Sequence, residues 1–333
     1  MIDQFDWTQL RHAYGPATDT PRHLAALTSS NEEARMDAVM HLDVAILHQG
    51  FPESATAPAA RVISWLLATG AVAADARAAL IEFLGGVASA TFELRDQPYF
   101  SALIPELEGS VIEAYQTISG LLDADLPGLR IPLAETAVEQ LRLPQLASQR
   151  PAMASKLRDW ISWGDENRYF WVLLLGELGE DVLNFLDDPD PAVRIRAALA
   201  PTSQHNDHAT GIVIAALGED LPPGVHRGEL VSSIVSRVDD FERIAEPAAE
   251  IARQAEWTGF GHDWGPLLEF AFPQPYRPGA PLSSAQRLYL DALVSNEQLW
   301  NPRNGSVALV FKQTGLPHDR RQCRRIVTAA ATQ

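Results

Sequence analysis

The amino-acid sequence predicts an all-α protein: an α-solenoid of stacked antiparallel helix pairs, closed by a short helical C-terminal module. Three observations predict it. Apolar residues recur at i, i+3, i+4 and i+7 along most of the chain, the spacing of one helix face. One turn-and-helix unit occurs twice, 159 residues apart. No stretch sustains period-two alternation, and no Asn-Gly step joins two β-branched runs, so a sheet protein is not expected.

Size and composition agree. A chain of 333 residues is long for one compact domain and suits a repeat array. Hydrophobic residues make up 46% of it, which argues for a folded chain, while aromatics are only 8%. Alanine and leucine dominate instead, and both lose little on entering a helix.

The clearer copy of the unit runs from Leu186 to Ala200. It turns on Asp188-Pro189 and Asp190-Pro191, where Asp190 is placed to cap a helix opening with proline. The second copy starts at Leu27, so that Asn31 falls on Asp190, Arg35 on Arg194 and Ala38 on Ala197. A polar residue sits at each helix mouth and an arginine one turn inside. Arg35 and Arg194 are expected to point along the stack and pair with turn acids.

In chain order, an opening segment holds Trp7, Tyr14 and Gly15. Apolar stripes follow: Ala59/Val62/Ile63/Leu66/Leu67, Ala76/Leu80/Phe83/Leu84/Val87, and Leu103/Leu107/Val111/Ala114/Ile118/Leu122. Pro105 demands a kink or a fresh start within the third. The stripes continue as Ala134/Val138/Leu141, Met153/Leu157/Trp160/Ile161 and Tyr169/Val172/Leu173/Gly176. After the marker unit come Ala209/Ile212/Val213/Ala216/Leu217, Leu230/Ile234/Val235/Val238 and Ile244/Ala248/Ile251/Ala252/Ala255. Breaks fall at Gly70, Asp125-Leu126-Pro127-Gly128 and Asp220-Leu221-Pro222-Pro223-Gly224.

Residues 272–281 hold four prolines and cannot be helical. Ser283 then caps a helix through Leu288 and Leu293. Trp300, Asn301 and Pro302 follow, then a helix near Val307 to Gln313 and a last one from Asp319 to about Ala330. The expected organisation is therefore a solenoid over 1–271, a linker over 272–282 and a helical module over 283–333.

The unit around Asp190 resembles the core of a HEAT repeat, with its turn Asp, the pair Val193-Arg194 and the small Ala197 and Ala198. The segments Asp6-Trp7, His12-Ala13-Tyr14-Gly15, His48-Gln49-Gly50 and Ala57-Pro58-Ala59 look like those of a group of bacterial HEAT-repeat proteins. The tail Leu282-Ser283, Gln286-Arg287, Leu299-Trp300-Asn301, Gly315-Leu316-Pro317 and Arg320 looks like the ending of many of them. The resemblance implies a HEAT-like α-solenoid and brings no activity with it.

Charge bounds the partners. The net charge is −17, and only two lysines, Lys156 and Lys312, stand beside 24 arginines. Such a field repels phosphate backbones and attracts a basic protein or a cation. Residues 285–333 carry a net +4 against −21 for the rest. Arg320, Arg321, Arg324 and Arg325 make the basic face there. It could hold phosphate or an acidic partner, and docking onto the acidic body explains it more cheaply. The single Cys323 leaves no intramolecular disulfide and no cysteine zinc site. Met1 to Tyr14 lacks the basic and apolar regions of a signal peptide, and no run of ~18 apolar residues exists, so a cytoplasmic protein without a membrane span is expected.

Candidate sites each meet a simpler explanation. His205-Asn206-Asp207-His208 has metal-like spacing, yet Asn206 or Asp207 is better placed to cap the next helix. His41 and His48 fall two turns apart on what reads as one helix, with Asp37 and Asp43 nearby, and a satisfied histidine is the commoner case. Glu177, Glu180 and Asp181 read as turn caps. Trp160, Trp163, Tyr169, Phe170 and Trp171, flanked by Asp165 and other charges, form the densest aromatic cluster. Trp257, Phe260, Trp264 and Phe270 form a second. Aromatics of this kind anchor binding grooves or wedge neighbouring repeats together. No phosphate-binding loop, dinucleotide fingerprint or nucleophile elbow is present.

The function expected is a non-catalytic protein-interaction scaffold with an acidic surface and no cofactor or metal, or more narrowly one that neutralises a basic protein. The alternatives are a repeat-fold enzyme, similar to phycobilin lyases or a DNA-glycosylase group, nucleic-acid binding through the C-terminal arginines, and a sensor whose C-terminal module covers a groove.

Overall fold

Helix after helix forms where the apolar stripes run. The structure, a computed structural model, describes all residues except Asp125, Pro127, Asp165, 301–304 and 331–333. The breaks at Asp125 and Pro127, Asp165 beside the first aromatic cluster, and Asn301 and Pro302 of the tail lie outside the described residues.

The chain divides into two units, Met1–Leu157 and Arg158–Gln333. After a 3-10 turn at Ile2–Gln4, the first has a two-stranded hairpin, β1 (Arg11–His12) and β2 (Gly15–Pro16), the one departure from an all-helical plan among the described residues. It continues through α1 (Thr20–Ala26), α2 (Glu32–His41), α3 (Thr56–Ala68), α4 (Ala74–Leu94), α5 (Ile104–Asp123) and α6 (Arg130–Gln140). α7 (Arg150–Ser162) contains the division. The second unit holds α8 (Arg168–Glu177), α9 (Pro191–Leu199), α10 (Asp207–Leu217), α11 (Arg227–Arg237), α12 (Ala245–Gln254), α13 (Trp264–Ala271), α14 (Ser284–Ser295), α15 (Gly305–Gln313) and α16 (Arg320–Ala330). No helix among the described residues is long and apolar enough to cross a membrane.

Within each unit many helices pack on their successor, on the one after that, or on both. In the first, α3 lies against α4 and α5, and α4 against α5 and α6. In the second, α10 meets α11 and α12, α12 meets α14, and α14 meets α16, while α11, α13 and α15 follow one another likewise. The stripes are what these contacts bury. Ala59, Val62, Ile63, Leu66 and Leu67 of α3 are all buried, as are Leu80, Leu84 and Val87 of α4 and Leu107, Val111, Ala114 and Ile118 of α5. Each such leucine or isoleucine contributes roughly 1.5–3 kcal/mol on leaving water.

Local signals set the helix ends. Pro105 stands in the first turn of α5, so the stripe makes a fresh start rather than a kink, and Leu103 lies just outside the helix. Asn31 caps α2 by accepting from the Ala34 amide at 3.3 Å, and Asp190 caps α9 by accepting from Ala192 at 2.9 Å. Ser283 and Gln286 form a reciprocal capping box on α14. The proline-rich segment lies inside the second unit. Beyond it, Asn296 donates to the carbonyls of Ala252 and Ala255, and Tyr289 donates to that of Trp264 at 2.6 Å.

Two expectations need correction. His41 and His48 do not share a helix: α2 ends at His41, a π-turn spans Leu42–Ile46, and Gln49 takes a left-handed φ of 53° before α3. The chain needs that turn to bring the hairpin back, since Ala13 N–H donates to Ala45 O at 3.0 Å. Arg194 is not paired with an acid by hydrogen bond. Its guanidinium donates to the carbonyls of Asp188 and Pro189, because Asp188 is already held by Arg168.

Replacing the cap Asp190→Ala is expected to cost about 1 kcal/mol and Asp190→Gly only a few tenths, which urea unfolding resolves. Gly265→Ala should cost more, roughly 1–3 kcal/mol, since its new methyl would run into the Phe260 carbonyl.

Candidate functional site

Chemistry-bearing side chains converge at the start of the first unit, on opposite faces of α2. On one face lies a histidine cluster. The tight β1–β2 turn, which uses Gly15 at φ 131°, buries the His12 ring, and Asp19 stands at the N-terminus of α1. His12 Nδ1 accepts from the Tyr14 amide at 3.1 Å, so the neutral ring carries its proton on Nε2 and donates it to Asp19 Oδ1 at 3.0 Å. His41, the last residue of α2, reaches across to α1. Its Nε2 lies 3.2 Å from the buried Thr20 hydroxyl, and its ring stacks on His23 with centroids 4.1 Å apart. His12 meets the same ring edge-on at 5.6 Å. One ligating atom from each of His12, Asp19 and His41 lies within 4.8 Å of the others.

The electrostatics follow from this crowding. Burial, and then the neighbouring His23, pull His41 down to about 4. Burial and Arg22 lower His23 as well. Burial works to raise the Asp19 carboxyl, but the His12 hydrogen bond and its own backbone amide outweigh it and hold it below the ordinary range. Both shifts favour the uncharged rings of His41 and His23, which lie beside a carboxylate that accepts from His12.

The opposite face of α2 opens onto a groove of about 680 Å³ shared with α4. Its floor is Val39, Leu47, Ala79, Phe83 and Gly86, and Met36 and Met40 stand over it. These two methionines are 65% and 59% exposed, so their thioethers meet solvent rather than core. Glu32, Asp43, Asp75 and Glu82 rim the groove. The one cation in this lining, Arg35, is already engaged by Asp75 and by the Ser29 carbonyl.

The residues singled out from the sequence are placed as follows. Trp160 and Trp171 are buried and pack at 4.8 Å, Tyr169 is half-buried, and Trp163 is 66% exposed. Trp264 is buried, with Phe260 against it at 4.9 Å, and Trp257 is 52% exposed. In each cluster the tryptophans divide between core and surface, while Tyr169, Phe170, Phe260 and Phe270 are half-buried. Arg320 is tied to Glu297 and to the Val294 carbonyl, leaving Arg321, Arg324 and Arg325 as the exposed basic stripe of α16. Asn206 caps α10 as expected, and His208 sits 3.2 Å from Asp187. The meeting of His12, Asp19 and His41 was not foreseen. A signal existed, since four of the nine histidines fall within the first 48 residues.

No family model, no curated protein and no solved structure matches this chain.

The depressed His41 has a stability consequence. The unfolded chain protonates it near the ordinary 6.5 and the folded chain only near 4, so the unfolded state binds more protons between these values. Stability should therefore fall as pH drops from about 6.5 to about 4. Urea midpoints measured across that window with chelator present should fall less steeply in His41→Gln.

Proposed function

We propose that this chain is a non-catalytic, cytoplasmic interaction scaffold built of HEAT-like helix pairs, and that the α2–α4 groove receives a basic amphipathic segment of a protein partner. The repeat architecture is supported by helices that pack on both the next and the next-but-one element. It is supported too by the two copies of the turn unit, in which Asn31 and Asp190 each cap the helix that follows.

The observation that carries the function is the groove itself. Exposed methionines on an apolar floor give an adaptable surface, because the unbranched thioether chain repacks around different partners. The rim places Glu32, Asp43, Asp75 and Glu82 around that floor. An amphipathic helix with apolar anchors at i, i+3 or i+4, and i+7 and with lysines or arginines beside them satisfies both parts. The net charge of −17 adds steering of a basic partner from a distance.

A labelled amphipathic Leu/Lys helical peptide tests this by fluorescence polarisation. Met36→Asn combined with Met40→Asn changes no charge and should weaken binding about tenfold or more. A peptide of equal charge with its leucines scrambled should bind the wild type as weakly as the double variant binds the original. Equal affinity in all three pairings would show attraction by net charge alone and sink the groove.

A further inference from the structure

We infer that His12, Asp19 and His41 form a binding site for a divalent transition-metal ion of the zinc class. Three separate segments, the β1–β2 hairpin, the start of α1 and the end of α2, bring two imidazoles and one carboxylate to a common point. Two nitrogens and one carboxylate oxygen suit zinc or its neighbours in the first transition row; calcium and magnesium prefer an all-oxygen shell. Neither of the chain's two lysines is near in sequence, and the ion pair made by Asp19 is with His12. His23 stands outside the ligand set. Its Nε2 faces the Arg22 guanidinium at 3.3 Å, and its ring braces His41 by stacking. The set is therefore three protein ligands, with Asp19 exposed as the way in and a fourth position left for water or an exogenous ligand.

The geometry also states what must move. Metal–nitrogen distances of ~2.0–2.1 Å in a tetrahedron put ligand atoms roughly 3.3 Å apart. His12 Nε2 and Asp19 Oδ1 are near that at 3.0 Å, whereas the widest separation in the set reaches at most 4.8 Å. His41 closes the remainder by leaving the Thr20 hydroxyl. Binding through His12 Nε2 displaces the proton held there and leaves the ring's one proton on Nδ1, so the Tyr14 amide loses its acceptor. Metal binding thus reshapes the turn at residues 13–15.

Zinc chloride titrated calorimetrically into chelator-treated full-length protein tests the site. The expected result is one ion per chain, with affinity at least tenfold weaker in Asp19→Asn and in His41→Gln, and no competition from calcium. The Tyr14 amide cross-peak should shift on adding zinc to wild type and stay in place in Asp19→Asn. Circular dichroism melts check folding, and if His41→Gln unfolds, the exposed Asp19→Asn carries the test alone. No binding, or undiminished binding in Asp19→Asn with a stationary Tyr14 amide, overturns the site and leaves only adventitious ions on an acidic surface.

Discussion

The candidate sites depend on how Arg35 is held. α2 has almost no core face of its own, for Ala38 is the one residue of the helix that is buried. A ten-residue helix with so little apolar contact is marginal by propensity alone. Polar pins compensate. Asn31 caps it, and the Arg35 guanidinium, 11% exposed, donates at 2.8 Å to the Ser29 carbonyl just before the helix and to Asp75 in the first turn of α4. Because α2 is fastened by an arginine, a cap and the contacts of His41 with α1, much of its circumference is free for other uses. Met36 and Met40 turn to the groove, and His41 turns to α1.

The second copy of the unit shows the same pin with a different outcome. Arg194 donates at 2.6 Å to the Asp188 carbonyl, six residues back, just as Arg35 does to Ser29. Around it, however, Ala192, Val193, Ile195, Ala197 and Ala198 are all buried. α9 is a core helix, and Arg194 only closes the turn. The acid that Arg35 finds on α4 has no hydrogen-bonded counterpart for Arg194. One local motif therefore serves a structural helix in one unit and a surface helix in the other, and what distinguishes them is the apolar content of the following ten positions.

Much of this architecture was legible in the sequence. Helix faces follow from spacing, so the stripes of α3, α4 and α5 were readable, and Asn31, Asp190, Asn206 and Ser283 announce the caps by residue type. The histidine cluster was not legible in the same way. His12 sits on a two-residue strand, Asp19 on a helix mouth and His41 at a helix end, so no single periodicity relates them. The π-turn after His41 compounded the difficulty, since Leu42 to Leu47 continues the helical spacing although the backbone leaves it. The aromatic clusters failed to point to a groove for a related reason: spacing cannot tell Trp171, sealed in the core, from Trp163, left outside.

α2 stands on its arginine pin rather than on buried apolar surface. Native-state hydrogen exchange of Arg35→Met against wild type tests it most directly. Amides from Met36 to Leu42 should lose protection by at least tenfold while those in the middle of α4 are unchanged. Unchanged protection along α2, or an equal loss throughout α4, would contradict it.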